Sequence, residues 1–282
     1  MVLDRVLEDP HRVRALVAAG GPYRFQTRPG SLVWPTWRTE WASDGVVHLA
    51  DAGDLFTHAG FVAAAAQMCG SDDVEPRSLY VNISTPCMGQ PVSHTDLPQF
   101  RGVDSSDVPE WFLQVMGASR LFEDARITTV TAVSWFHLGP RGYYRYWPEG
   151  RDAPSVRHER MWNTAVVGDN DFMHHKVERI GDPDAGPPQG LSAAALLRHD
   201  PSGWWIDDGG ELARYRDDEV RVSLSWTARV HDGSTAVIEP GVVWDRIGPL
   251  VADDLAARSL EELFGDDARH YLVDRWPGFL PG

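Results

Sequence analysis

Ser78-Leu-Tyr-Val-Asn-Ile-Ser84, followed after a turn by Pro91-Val-Ser-His94-Thr-Asp96-Leu-Pro98, sets the texture of this chain. In the first run Leu79, Val81 and Ile83 alternate with Tyr80, Asn82 and Ser84. That is the two-residue period of a strand with one apolar and one polar face. The second run holds a histidine and an aspartate two residues apart, which a strand would point to the same side. Leu97-Pro98 then ends it, as at the rim of a sheet.

Short β-like runs recur downstream at residues 127–138, 143–147, 164–167, 172–180 and 219–230. Gly139-Pro-Arg-Gly142, Pro148-Glu-Gly150, Gly168-Asp-Asn170 and Asp232-Gly233 separate or close them. Upstream, residues 1–22 predict a helix with Pro10 in its first turn and Gly20-Gly21 at its stop. Strand-like pieces follow at 32–37 and 46–49. A second helix is expected over 54–68, capped by Asp51 or Asp54 and ended by Gly70. Residues 104–119 predict a third, opened by Ser106 or Asp107 before Pro109, and 251–279 predict two short amphipathic helices around Gly265.

At 282 residues, 43% of them apolar, the chain is long enough to bury a full core. A formal charge of −15 disfavours nucleic acid or an anionic membrane as the partner. Two cysteines, Cys69 and Cys87, make no disulfide framework and favour a reducing cytoplasmic setting. The first residues lack an apolar signal core, and the small apolar run at 61–66 is far too short to span a bilayer.

Eight or so short strands framed by helices suit a mainly β fold, a curled double sheet of the jelly-roll or cupin-like type, the double-stranded β-helix. One domain over 1–282 is expected. Its helical N-terminal part covers about 1–76 and its jelly-roll core about 77–240. Residues 181–218 form an insertion, and about 250–282 a helical tail.

A histidine and an aspartate so placed supply two of the three ligands of a 2-His-1-carboxylate iron(II) site; the other reading of His94 and Asp96 is a surface histidine beside a turn aspartate. The candidates for a third ligand are His174 and His175. If His175 faces inward so does Val177, while Lys176 and Glu178 face solvent; the opposite phase would bury both charges. Alternation therefore favours His175. On the last strong strand Arg221, Ser223, Ser225 and Thr227 share one face, opposite Val220, Val222, Leu224 and Trp226. An arginine alone on the polar face of a β core needs an anion, and a hydroxyl two residues on completes a carboxylate clamp.

Together, His94-x-Asp96, Asp169-Asn170-x4-His175 and Arg221-x-Ser223 resemble the iron(II)- and 2-oxoglutarate-dependent oxygenases, over roughly residues 78–230. The resemblance implies iron on His94, Asp96 and His175, with 2-oxoglutarate and dioxygen as co-substrates. It further implies Arg221 and Ser223 on the distal carboxylate and hydroxylation of a small molecule, an amino acid or specialised metabolite. Asp96 argues against the halogenating relatives, which need that position vacant. The interval from His175 to Arg221 is longer than usual, which leaves Arg214, Arg216 and Arg229 as other anchors.

Tyr80 and Asn82 could touch the co-substrate, and residues 143–147 could line a pocket or pack as core. His137 suits a core histidine, and Trp204-Trp205 a lid or a subunit contact. The other readings are a cupin-like metalloenzyme without 2-oxoglutarate and a metal-free β-sandwich binding module.

Overall fold

The computed structural model describes residues 1–26, 35–108, 110–243 and 246–247. The tail expected to be helical at 251–279, and residues 32–34 of the first strand-like piece, lie outside that set.

Alternation builds the larger of two facing sheets. Its order is Val2–Leu3, Trp162–Gly168, Arg126–Phe136, Arg221–Val230, Val74–Ser84, Thr36–Ser43 and Val46–Val47, with Gln99–Phe100 paired to the start of Arg126–Phe136. The smaller sheet runs His174–Val177, Tyr144–Trp147, Val156–His158. His94 extends its edge by bridging His175, and Cys87 does so by bridging Ile180.

From Val74–Ser84 in the larger sheet the chain crosses to His94 in the smaller, then returns through Arg126–Phe136. It crosses again for Tyr144–Trp147 and Val156–His158, returns at Trp162–Gly168, crosses at His174–Val177 and ends in Arg221–Val230. This back-and-forth winding is a double-stranded β-helix.

The two faces of the larger sheet have opposite chemistry. Leu79, Val81, Ile83, Val222, Leu224 and Trp226 are buried in the main core. There they meet the helices His11–Ala19 and Ala59–Cys69. Trp226 donates its indole N–H to the Phe56 carbonyl at 2.7 Å and packs on Phe61 at 5.5 Å between ring centres. The inner face carries Tyr80, Asn82, Ser84, Arg221, Ser223 and Trp135, and the smaller sheet covers it. Tyr144 packs on Trp135 with ring centres 5.2 Å apart.

Four expectations need correction. Residues 2–3 form a strand against Ala165 and Val166, so the first helix starts only at His11. The helix expected over 54–68 is broken at Thr57-His58 into Gly53–Phe56 and Ala59–Cys69. Its main segment is capped by His58, whose Nδ1 accepts from the Phe61 N–H at 3.2 Å. Asp54 is instead engaged by Arg12, at 2.5 and 2.7 Å. Gly70 ends the helix at φ +66°, where a left-handed residue is needed. The strand-like piece at 32–37 continues to Ser43, because Trp37, Trp41 and Ala42 reach the core while Arg38 and Glu40 take the inner side.

The fourth concerns Trp204. The insertion is a three-stranded sheet, Leu196–Asp200, Gly203–Asp207 and Glu211–Tyr215, extended by Tyr23–Arg24. Leu197, Trp204 and Ile206 join the main core outside the larger sheet. Trp204 is therefore a core residue and not part of a lid or subunit contact. Trp205 lies near the guanidinium groups of Arg198 and Arg214. No helix among the described residues is long and apolar enough to cross a membrane.

Candidate metal and co-substrate site

His94 and His175 are joined as a closely paired couple. The His94 N–H donates to the His175 carbonyl at 3.0 Å, and the His175 N–H to the His94 carbonyl at 2.8 Å. Directly opposite residues on paired strands project to one side, and the two rings sit with centres 4.3 Å apart. Two residues on, the Asp96 N–H donates to the Asn170 carbonyl at 2.8 Å. From the helix Glu110–Ser119, the Gln114 amide donates to the Asp96 carbonyl at 3.1 Å.

The result is a cluster in which one donor atom each from His94, Asp96 and His175 lies within 4.8 Å of the others. Asp96 Oδ1 is 3.7 Å from His175 Nε2, against roughly 3 Å between neighbouring ligands of a bound first-row metal. His175 donates Nδ1–H to the Met173 carbonyl at 2.9 Å, which leaves its Nε2 lone pair facing the cluster. Burial, then the nearby His175 and His174, push the His94 imidazole down to about 3, so it is a neutral donor at neutral pH. Two imidazoles and one carboxylate on one side fit a divalent metal of the iron(II) type.

His174 follows the other phase of the strand and is half-buried outside the cluster. Val177 packs against Cys87 and Ile180. Glu178 turns outward to Arg145 at 2.6 Å and Arg157 at 2.7 Å.

Arg221 is 2% exposed on the inner face. Its Nε donates to the Gly142 carbonyl at 2.9 Å and Nη1 to the Ser223 hydroxyl at 3.1 Å. Among the described residues no carboxylate pairs with it. Burial lowers the guanidinium to about 10, which still leaves it charged at neutral pH. A Cβ at Gly142, where φ is +69°, would come within 2.9 Å of the Arg221 Cδ, so only glycine leaves room for this arginine. Arg214 is engaged by Asp200 and Glu211, and Arg216 by Asp218, at the surface; Arg229 bonds Gln99 at the far end of the strand. Only Arg221 of these four is buried.

Tyr144 lies between the two groups. Its ring centre is 5.6 Å from that of His175. Burial first, then the charge of Asp96, hold its phenol well above the usual range, so the hydroxyl stays a donor. Asn82 donates to the Ser225 hydroxyl at 3.1 Å, and Tyr80 lies beneath the Arg38 guanidinium at 3.7 Å. Both sit on the inner wall. His137 is buried near Arg221, and burial and that charge push its imidazole down to about 4.

Sequence reasoning missed Gln90, Gln114 and Asp171. Gln90 places its amide 3.4 Å from His94 Nδ1 while its oxygen accepts from the Val177 N–H at 2.7 Å. Asp171 is 5% exposed and is pushed up to about 8 by burial, then by Asp169 and Asp96. No local pattern marks either glutamine, and an aspartate in a turn is ordinarily solvated.

The core is a double-stranded β-helix with a His-Asp-His cluster at one edge and a buried arginine on its inner wall. No family model matches the chain, and no curated protein is similar to it in sequence. Among solved structures it is similar to a 2OG-Fe(II) oxygenase family oxidoreductase from Burkholderia pseudomallei, at 14% identity over 79% of this chain and 80% of that one, with a TM-score of 0.43. A Pseudomonas putida prolyl-4-hydroxylase aligns at 13% identity over 79% and 84%, with a TM-score of 0.42. HygX from Streptomyces hygroscopicus, solved with nickel, 2-oxoglutarate and hygromycin B, aligns at 10% identity over 82% and 83%, with a TM-score of 0.44. The assignment of the site rests on this chain's own residues.

Proposed function

We propose that the protein is an iron(II)- and 2-oxoglutarate-dependent oxygenase acting on a small molecule, with hydroxylation as its outcome. His94, Asp96 and His175 would hold the metal. Arg221 and Ser223 hold the distal carboxylate of 2-oxoglutarate. The Tyr144 hydroxyl, kept protonated by burial, would be a donor to the co-substrate between them. When bound, iron and 2-oxoglutarate together supply an oxidant from dioxygen able to take hydrogen from an unactivated C–H bond.

The observation that supports this reading most is Arg221. A fully buried cation with no carboxylate partner is costly unless an anion joins it, and the two donors that fix its plane leave the rest of the guanidinium fork for a carboxylate. A metalloenzyme without 2-oxoglutarate has no use for that cation, and a metal-free binding module has no use for the cluster. The purified protein, supplied with iron(II), 2-oxoglutarate and air, is expected to form succinate. Succinate formation that does not depend on iron would count against the assignment.

A further inference from the structure

The inner wall of the larger sheet stays polar well past Arg221 and Ser223. At two-residue steps of about 6.6 Å, Ser225, Thr227 and Arg229 follow on the same face of the strand Arg221–Val230. Tyr80 stands opposite Ser225, Ser78 opposite Thr227, and Thr129 opposite Arg229. Here a cavity of about 290 Å³ opens, and Gln99, three residues beyond Asp96, forms part of its wall.

This lining contrasts with most small-molecule sites, which are mainly apolar. Among the described residues no aliphatic side chain lines it, and Tyr80 is its one aromatic. Ser78 and Thr227 share a hydroxyl–hydroxyl bond at 2.5 Å. The charges balance. Asp44 pairs with Arg77 at 3.3 Å, Arg229 is held by Gln99 at 3.1 Å, and Glu40 faces in from the neighbouring strand. Two acids and two arginines give little net field, so neither a polyanion nor a polycation is favoured. An apolar molecule would strip water from these groups and leave them unpaired. A ligand with many hydroxyls would replace that water bond for bond, a match that rejects analogues lacking them.

We infer that this cavity binds the molecule that is oxidised, and that this molecule is a neutral polyhydroxylated compound of the glycoside or cyclitol class. The inference rests on the oxygenase reading and narrows its substrate. It is tested by anaerobic calorimetry on protein loaded with iron(II) and 2-oxoglutarate. Myo-inositol, methyl glucoside and maltose form one set of probes; phenylalanine, proline and dodecanoate form the other. At least one polyol is expected to bind saturably, with a Kd in the millimolar range or tighter, and the second set is not. T227V, which keeps the side-chain shape, and R229Q, at an exposed end of the wall, are each expected to weaken that binding about tenfold or more. Binding confined to the second set, no saturable binding by any polyol, or polyol binding that ignores both substitutions overturns the inference. Calorimetry needs no turnover, so failure of the oxygenase reading stays separate. That failure appears as absent iron-dependent succinate formation, whatever binds.

Discussion

His94 and His175 exchange both backbone hydrogen bonds, at 3.0 and 2.8 Å, across the edge of the smaller sheet. This couple brings two segments far apart in sequence into one site, since strand register dictates that the two side chains share a side. Asp96 follows on the same strand edge, and three side chains able to ligate a metal come together without a loop having to find them.

H175A is expected to weaken iron(II) or cobalt(II) binding at least about 100-fold, beyond what loss of an outer partner produces. H174A, one residue away on the other phase of the strand, is expected to change it less than about threefold. Equilibrium metal titration decides between them, and the reverse order would show that the register argument has picked the wrong histidine.

Gln114 reaches the Asp96 carbonyl from the helix Glu110–Ser119 and bonds Thr95 as well. Q114A should lower metal affinity about 10-fold, the scale for loss of a supporting hydrogen bond, with little change in Tm. A large drop in Tm with unchanged affinity would make Gln114 a packing residue.

Arg221 has two effects of opposite sign. R221M should weaken 2-oxoglutarate binding about 100-fold, in line with loss of a charge-assisted clamp. It should also raise the Tm of the ligand-free protein, because it removes an uncompensated buried charge. A lower Tm with intact 2-oxoglutarate binding would mean that the arginine is structural.

Asp171 makes a pH prediction. Its carboxyl titrates at about 8 in the folded chain and near 3.9 when unfolded. Between those values the folded state holds a proton that the unfolded state has lost, so stability falls as pH rises across that window. The limiting slope is about 1.4 kcal/mol per pH unit. D171N removes this dependence. Its Tm advantage over the parent protein should grow from pH 5 to pH 8, and chemical denaturation at several pH values measures it. A constant difference would show that Asp171 ionises normally.

Much of the fold was legible because period-two alternation is a local signal. Leu79, Val81 and Ile83, then Val222, Leu224 and Trp226, declared the core face, and Gly70 declared a helix end. The polar face was legible for the same reason, and with it the inward side of Arg221. Other features depend on partners remote in sequence. Asp54 looked like a cap until Arg12 claimed it, which left His58 to close the helix. Arg38 and Glu40 broke the apolar pattern of their strand because that strand borders the polar interior. Trp204 resembled an exposed lid residue, yet Tyr23–Arg24 extends the insertion's sheet and brings the tryptophan into the core. Gln114 and Asp171 matter only through the tertiary neighbours they meet.

The central claim, that the His94–Asp96–His175 cluster and Arg221 together hold iron(II) and 2-oxoglutarate, is tested most directly by anaerobic titration followed by visible absorption. A charge-transfer band that needs both components, and that fails to form in H175A and needs far more 2-oxoglutarate in R221M, is the predicted result. Iron-loaded protein that shows no band at saturating 2-oxoglutarate would contradict the account.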